Sequence, residues 1–312
     1  MRILVTDGMD KTAMAQLREM GHEVVEQFYE PDQLGAALKD FDAVVVRSKT
    51  KVRANHIDEA KTGKLKLIIR GGVGVDNIDL DAAKRHGIQV VNARGMNANA
   101  VAEMAMAMIL NCLRNVPMLA GKLEQGEWCR AVGHELSGRT VGLLGFGDIG
   151  SRVAKMLSGF NVRLLAYDPY PNREKAAALH VTLSGMDTVI AQSDILSIHM
   201  PSIPATRHTM NRETFRKMKQ GAYFINTARG ALVDTQALVE AVSSGHLAGA
   251  ALDVYEQEPL SPDAPVLHTP GIQCTPHTGA ETAETYSNIS MMAAQAVIDS
   301  LNGKEPQNWL NR

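Results

Sequence analysis

The chain has 312 residues, 45% of them hydrophobic, with a formal net charge of −2 at pH 7. That length suits two domains better than one, and the near-neutral balance gives no electrostatic reason to expect nucleic acid or a membrane surface as partner. No apolar run reaches the roughly 18 residues of a membrane span, and Cys112, Cys129 and Cys274 are odd in number, far apart and not in metal-ligand spacing, so reduced thiols, a cytoplasmic setting and no metal are expected.

Residues 3–6 read as a strand, and the start lacks the layout of a signal peptide. Apolar runs follow at residues 23–25, 43–46, 65–69 and 90–91, with helical patterns such as residues 12–19 and 80–85 between them. Strand alternating with helix argues for parallel α/β structure. Residues 98–114 are rich in Ala, Met and Leu and free of Gly and Pro, hence a helix, with Met104, Met106 and Met108 assigned to packing. Residues 117–137 carry Gly121, Gly126, Trp128 and Gly133 and read as a crossing loop or arm. A second series of strands is expected at residues 141–144, 164–167, 195–198, 223–226, 250–254 and 272–275, and a final helix at 281–301 that returns to the first domain. Two sequential series imply two doubly wound parallel sheets.

The second series opens on Gly145-Phe146-Gly147-Asp148-Ile149-Gly150. A GxGxxG spacing alone is weak evidence, but here a strand precedes it and a helix follows. Gly145 opens the turn, Gly147 lets the backbone approach a pyrophosphate, and Gly150 lets the helix pack against the sheet. The N–H groups near Asp148 and Ile149 then face phosphate at the positive end of that helix. Asp168 ends the next strand, 18 residues beyond Gly150. A carboxylate there accepts from the ribose hydroxyls and repels a 2′-phosphate, so NAD is expected over NADP. Asp148 suits a pyrophosphate only if it turns to solvent. The run Gly71-Gly72-Val73-Gly74-Val75-Asp76 lacks this spacing and reads as a loop offering N–H groups to substrate.

Three residues of the last third carry the chemistry: Arg229, Glu258 and His277. A lone His after Pro is more often structural, and a lone Arg or Glu is usually a solvated surface group. Together, after a dinucleotide loop, they read as an acid–base site. His277 is the proton carrier, Glu258 orients its ring through the far nitrogen, and Arg229 offers a planar fork for a substrate anion.

With these residues in hand the chain resembles the D-isomer-specific 2-hydroxyacid dehydrogenases over nearly its whole length. The likeness is carried by the Gly145–Gly150 loop with Asp168, Ser193-Asp194 leading to His199-Met200-Pro201, Asn226 to Gly230, Leu252-Asp253-Val254 through Glu258-Pro259, and Pro276-His277. It implies a Rossmann NAD domain, residues 99–282, inserted into a flavodoxin-like catalytic domain of residues 1–98 plus 283–312, in a homodimer. It implies Thr227, Ala228 and Asp253 on the nicotinamide side, Met200 and Pro201 beside the adenosine with Thr206 as a further contact, and Gly279 and Ala280 near the carboxamide. Glu258, where formate dehydrogenases carry glutamine, favours a small 2-hydroxy or 2-oxo acid. Arg47-Ser48 resembles the phosphate-binding part of 3-phosphoglycerate dehydrogenases. With Arg70, the Val73 and Gly74 N–H groups and the Asn97 amide, it forms the expected substrate set, and 3-phospho-D-glycerate leads as substrate. With the sequence closing at Arg312, the short kind of such an enzyme is expected. The alternatives are a reductase of glyoxylate, hydroxypyruvate or another 2-oxo acid and, in a different class, an NAD-sensing corepressor-like scaffold.

Overall fold

The computed structural model of the chain describes residues 1–300 and 302–312. The chain folds into two compact units, Met1–Asn97 with Glu281–Arg312, and Ala98–Ala280.

The first unit is a five-stranded sheet of β1 (Arg2–Val5), β2 (Glu23–Glu26), β3 (Ala43–Val46), β4 (Leu67–Arg70) and β5 (Gln89–Asn92), all parallel, in the order β2-β1-β3-β4-β5. This is the flavodoxin-like winding. One face packs on α1 (Lys11–Glu19) and α13 (Ala283–Leu301), through Ala13, Leu17, Ala293 and Val297. The other packs on α2 (Pro31–Leu38), α3 (Ala54–Ala60) and α4 (Leu80–Arg85), through Leu34, Leu38, Ile57 and Ala82. Covering both faces explains why β3 is apolar at every position and buried throughout.

The second unit has seven parallel strands: β6 (Thr140–Leu144), β7 (Arg163–Tyr167), β8 (Val181–Leu183), β9 (Ile195–Ile198), β10 (Ala222–Asn226), β11 (Leu247–Leu252) and β12 (Ile272–Cys274). Their order is β12-β11-β10-β9-β6-β7-β8. Counted from β6, this is the 3-2-1-4-5-6 Rossmann winding plus one strand. The chain reverses direction across the sheet at β6, between β7 and β9, where such folds open a crevice at the carboxyl ends of the strands. One face carries α5 (Ala98–Arg114), α7 (Asp148–Leu157) and α8 (Arg173–Ala178). The other carries α9 (Met186–Gln192), α10 (Arg212–Lys217), α11 (Thr235–Ser243) and α12 (Pro265–His268). Met106 and Met108 are buried in the α5 core. At about 1.5–3 kcal/mol per buried aliphatic side chain, these layers dominate the stability of each unit.

Two elements differ from the sequence reading. Residues 117–137 do not begin as a loop: Val116–Glu124 is a helix, α6, with Pro117 in its first turn. Pro is tolerated there because the first N–H groups of a helix have no intrahelical partner. Pro117 and the internal Gly121 read as loop signals and mask the short apolar pattern of Val116, Leu119 and Leu123, none of which the fold buries. The three-residue strand β8 is the other addition. Its one exposed threonine and short length leave no periodic signal.

Candidate active site

In the second unit the glycine loop has the form expected for a phosphate cradle. Gly145 sits at φ +100°, a region that favours glycine, and a Cβ there would lie 2.7 Å from the His199 carbonyl carbon and oxygen. A Cβ on Gly150 would lie 2.2 Å from the Gly145 oxygen, so helix α7 depends on glycine to come this close. Gly147 faces open space. The N–H groups of Asp148 and Ile149 begin α7 without backbone partners, and the Asp148 side chain is exposed to solvent. Asp168 ties the loop to the end of β7: its Oδ2 accepts the Phe146 N–H and its Oδ1 the Tyr170 N–H, both at 2.8 Å. A carboxylate accepts about four hydrogen bonds, which leaves room for two ribose hydroxyls.

Met200 is buried in the core beside this loop, and Pro201 is exposed. Thr206 is occupied within its own turn: its hydroxyl donates to the Pro201 carbonyl at 2.7 Å and accepts the Ile203 N–H at 2.9 Å. His199 bonds the Ser197 hydroxyl through Nε2 at 3.0 Å, while its buried Nδ1 has no partner. Burial pushes this imidazole down to about 4.

The chemistry-bearing groups stand at the carboxyl ends of β10, β11 and β12. Asn226 closes β10 and is fully buried. Its amide accepts the Ala228 N–H at 3.0 Å and donates to the Arg229 carbonyl at 2.9 Å, which shapes the 226–229 turn. The Arg229 guanidinium also donates to the Ala228 carbonyl at 2.6 Å. Gly230 lies against the next strand's loop: a Cβ would fall 1.8 Å from the Tyr255 carbonyl carbon. That approach carries Arg229 toward Glu258, and its charge is felt by the Glu258 carboxyl.

Glu258 is joined to His277 by a 2.7 Å bond from Oε2 to Nδ1, and its Oε1 accepts the Tyr255 N–H at 3.0 Å. Partial burial works to raise its pKa. The hydrogen bonds from His277 and Tyr255 and the nearby positive charges outweigh that and hold it below the usual glutamate range. With Nδ1 engaged, Nε2 is the nitrogen His277 can turn to a substrate. His277 has φ +54°, a conformation that a non-glycine residue keeps only when its surroundings enforce it.

Asp253 supplies that enforcement. It is 1% exposed. Its Oδ1 accepts the Thr275 hydroxyl at 2.6 Å and the Thr278 N–H at 2.9 Å, and its Oδ2 accepts the Gly279 N–H at 2.8 Å. Both its oxygens therefore hold the loop that carries His277. The Tyr255 hydroxyl braces the same loop, donating to the carbonyls of Leu252 at 3.1 Å and Thr275 at 2.8 Å. Neither bracing role is visible in the sequence, where the resemblance implies only a cofactor contact for Asp253.

The residues for a nicotinamide fit on an independent observation. The Thr227 hydroxyl is buried without a partner, next to buried Ala228 and close in sequence to Arg229. An unpaired buried polar atom is costly, and a ligand amide would satisfy it. Gly279 is buried and Ala280 partly so.

The expected substrate residues belong to the first unit. Arg47 and Ser48 follow β3, and Arg70 ends β4. Arg70 folds back to donate to the Gly71 carbonyl at 3.1 Å. The Val73 carbonyl accepts from the Asn92 amide at 2.6 Å, while the N–H groups of Val73 and Gly74 have no partner among the described residues. Asn97 keeps a buried Oδ1 without a partner. The Arg47 guanidinium is paired with Glu281, a residue with no sequence motif to mark it.

Residues 106–279 match the family described as D-isomer specific 2-hydroxyacid dehydrogenase, NAD binding domain. A D-3-phosphoglycerate dehydrogenase of Archaeoglobus fulgidus is 40% identical over 314 residues, covering 100% of this chain but 59% of the relative. The chain thus spans about three-fifths of that protein's length. A hydroxypyruvate reductase of Thermotoga maritima is 39% identical, covering 96% of this chain and 98% of the relative. Among solved structures, the TT0316 protein of Thermus thermophilus superposes with a TM-score of 0.91 at 35% identity, covering 99% of this chain and all of the other. The apo D-lactate dehydrogenase of Escherichia coli gives 0.89 at 30%, again over 99% of this chain and all of the other.

Proposed function

The chain belongs to the D-isomer specific 2-hydroxyacid dehydrogenase family and carries its NAD-binding domain, and from that premise we propose that it transfers hydride between NAD and C2 of a D-2-hydroxy acid or its 2-oxo acid. The observation that carries this reading is the 2.7 Å His277–Glu258 pair within the field of Arg229. Bound NADH supplies the hydride. Arg229 holds the substrate carboxylate and draws electron density onto the C2 oxygen. His277 delivers a proton to that oxygen from Nε2, while Glu258 keeps the ring oriented through Nδ1 and stabilises its positive form. In the oxidative direction the same nitrogen removes the hydroxyl proton. Gly145, Gly147, Asp148, Ile149, Gly150 and Asp168 hold the dinucleotide, with Met200, Pro201 and Thr206 along the adenosine and Thr227, Ala228, Asp253, Gly279 and Ala280 around the pyridine. Arg47, Ser48, Arg70, Val73, Gly74 and Asn97 hold the remainder of the substrate.

At finer resolution the leading pair is 3-phospho-D-glycerate and 3-phosphohydroxypyruvate. Two arginines at strand ends and the names of several relatives support it. One observation favours a second reading, reduction of hydroxypyruvate or glyoxylate: the Arg47 guanidinium already has a carboxylate partner. A homodimer is supported by the apolar side chains exposed along and after α6, with Val116 at 50%, Trp128 at 77% and Val132 at 93%. A cytoplasmic setting is supported by three free thiols. The test is consumption of NADH or NADPH with phosphohydroxypyruvate, hydroxypyruvate, pyruvate and glyoxylate. Rapid NADH-dependent reduction of at least one, giving a D product, is expected. A protein that binds NADH yet reduces none of them is a sensor or scaffold, and the reading fails.

A further inference from the structure

Arg47 is presented as a prepared anion site, and the chain itself fills it. Its N–H donates to Asp7 Oδ2 at 2.7 Å and its carbonyl accepts from Asn77 Nδ2 at 2.7 Å. Asp7 also takes the Thr50 N–H and hydroxyl, at 3.0 and 2.6 Å. The 47–50 turn is therefore fixed from both sides. The guanidinium lies over the Tyr286 ring, 5.1 Å from its centroid, and the arginine stem runs beside Gly71, where a Cβ would be 3.1 Å from Arg47 Cγ. The loop after Gly71 offers the N–H groups of Val73 and Gly74, which have no partner among the described residues. Within this setting a terminal Arg47 nitrogen bonds Glu281 Oε1 at 2.5 Å.

Stability does not account for Glu281. Its side chain is 50% exposed, and ion pairs open to water contribute little. Its effect on the charge of the subsite is larger. Arg47 is only 19% exposed, so its charge is poorly screened, and the Glu281 carboxylate opposes it at contact distance. A substrate phosphate reaching for Arg47 must push this carboxylate aside and then remain near a charge of its own sign. An uncharged hydroxyl in the same place meets neither obstacle.

We infer that Glu281 is a specificity-determining residue: by occupying the Arg47 guanidinium it lowers the preference for substrates with a dianionic substituent at C3 relative to uncharged ones. The inference rests on the proposed contact of Arg47 with substrate. The test measures kcat/KM for phosphohydroxypyruvate and for hydroxypyruvate, with NADH, in the wild type, Glu281→Gln, Arg47→Ala and the double variant. Glu281→Gln keeps the shape and removes the charge. It should raise the phosphohydroxypyruvate-to-hydroxypyruvate ratio tenfold or more, mainly through KM, and the double variant should lose that gain. A ratio unmoved by Glu281→Gln but lowered by Arg47→Ala overturns the role of Glu281 and leaves Arg47 a substrate residue. A ratio unmoved by Arg47→Ala removes Arg47 from the substrate set, and the inference with it. Turnover of neither acid by any of the four proteins removes both as substrates and overturns the inference, while the functional reading still stands or falls on pyruvate and glyoxylate.

Discussion

Replacing Gly230 by alanine tests how the acid–base site is assembled. The added Cβ would lie 1.8 Å from the Tyr255 carbonyl carbon and 2.0 Å from its oxygen, whereas ordinary contact begins at 3.4 Å. Both neighbours are backbone, so no side chain can swing away, and the 229–230 and 255–258 segments must part by about 1.5 Å. Overpacking of this kind costs about 1–3 kcal/mol, which in a unit of this size lowers Tm by several degrees. Displacing catalytic groups by about an ångström costs on the order of 100-fold in rate. Gly230→Ala should therefore fold, unfold several degrees earlier, and lose about 100-fold in kcat/KM for the best 2-oxo acid. Steady-state NADH oxidation beside a thermal melt reads both. Gly159→Ala, where a Cβ meets nothing within 4 Å, is the matched control and should leave both readings near wild type. A Gly230→Ala enzyme within threefold of wild type would show that the close approach of the two segments does not set the geometry of Arg229 and Glu258.

Asp253→Ala removes the acceptor for the Thr278 and Gly279 N–H groups and the Thr275 hydroxyl. It should lower stability by about 1–3 kcal/mol, and kcat should fall further than NADH affinity, as urea unfolding and NADH fluorescence titration would show. His199 has a folded pKa pushed below its ordinary value of 6.5 to about 4 by burial, so the native state favours the neutral ring. The stability this confers is complete above pH 6.5 and lost as pH falls toward 4, about 3 kcal/mol across that window. Urea unfolding from pH 7 to 4 should show the loss in wild type and little of it in His199→Gln; parallel curves would place His199 in a wetter setting.

Much of the fold is legible in the sequence because the strands are buried on both faces. Runs such as Ala43–Val46 and Ile195–Ile198 are uninterrupted or nearly uninterrupted apolar stretches, and the helix Ala98–Arg114 has no breaker inside it. Helix α6 is hidden because Pro117 and Gly121 signal a loop within a short segment, and β8 because three residues carry no period. Arg229, Glu258 and His277 can be picked out because each sits in a turn whose neighbours are unusual, Asn-Thr-Ala-Arg-Gly, Glu-Pro and Pro-His. What sequence does not convey is which atoms already have partners. Asp253 commits both oxygens to the His277 loop, Thr206 closes its own turn, and Arg47 meets Glu281 from 234 residues away. Such pairings depend on tertiary approach and leave no local pattern.

The most direct measurement compares NADH oxidation by wild type and His277→Ala with the best 2-oxo acid, alongside NADH binding by each. With the proton relay carried by His277 Nε2, the variant should bind NADH about as tightly as wild type while kcat falls by at least about 100-fold, the scale of general acid–base catalysis. A variant that binds NADH and turns over within tenfold of wild type would contradict the assignment of proton transfer to the His277–Glu258 pair.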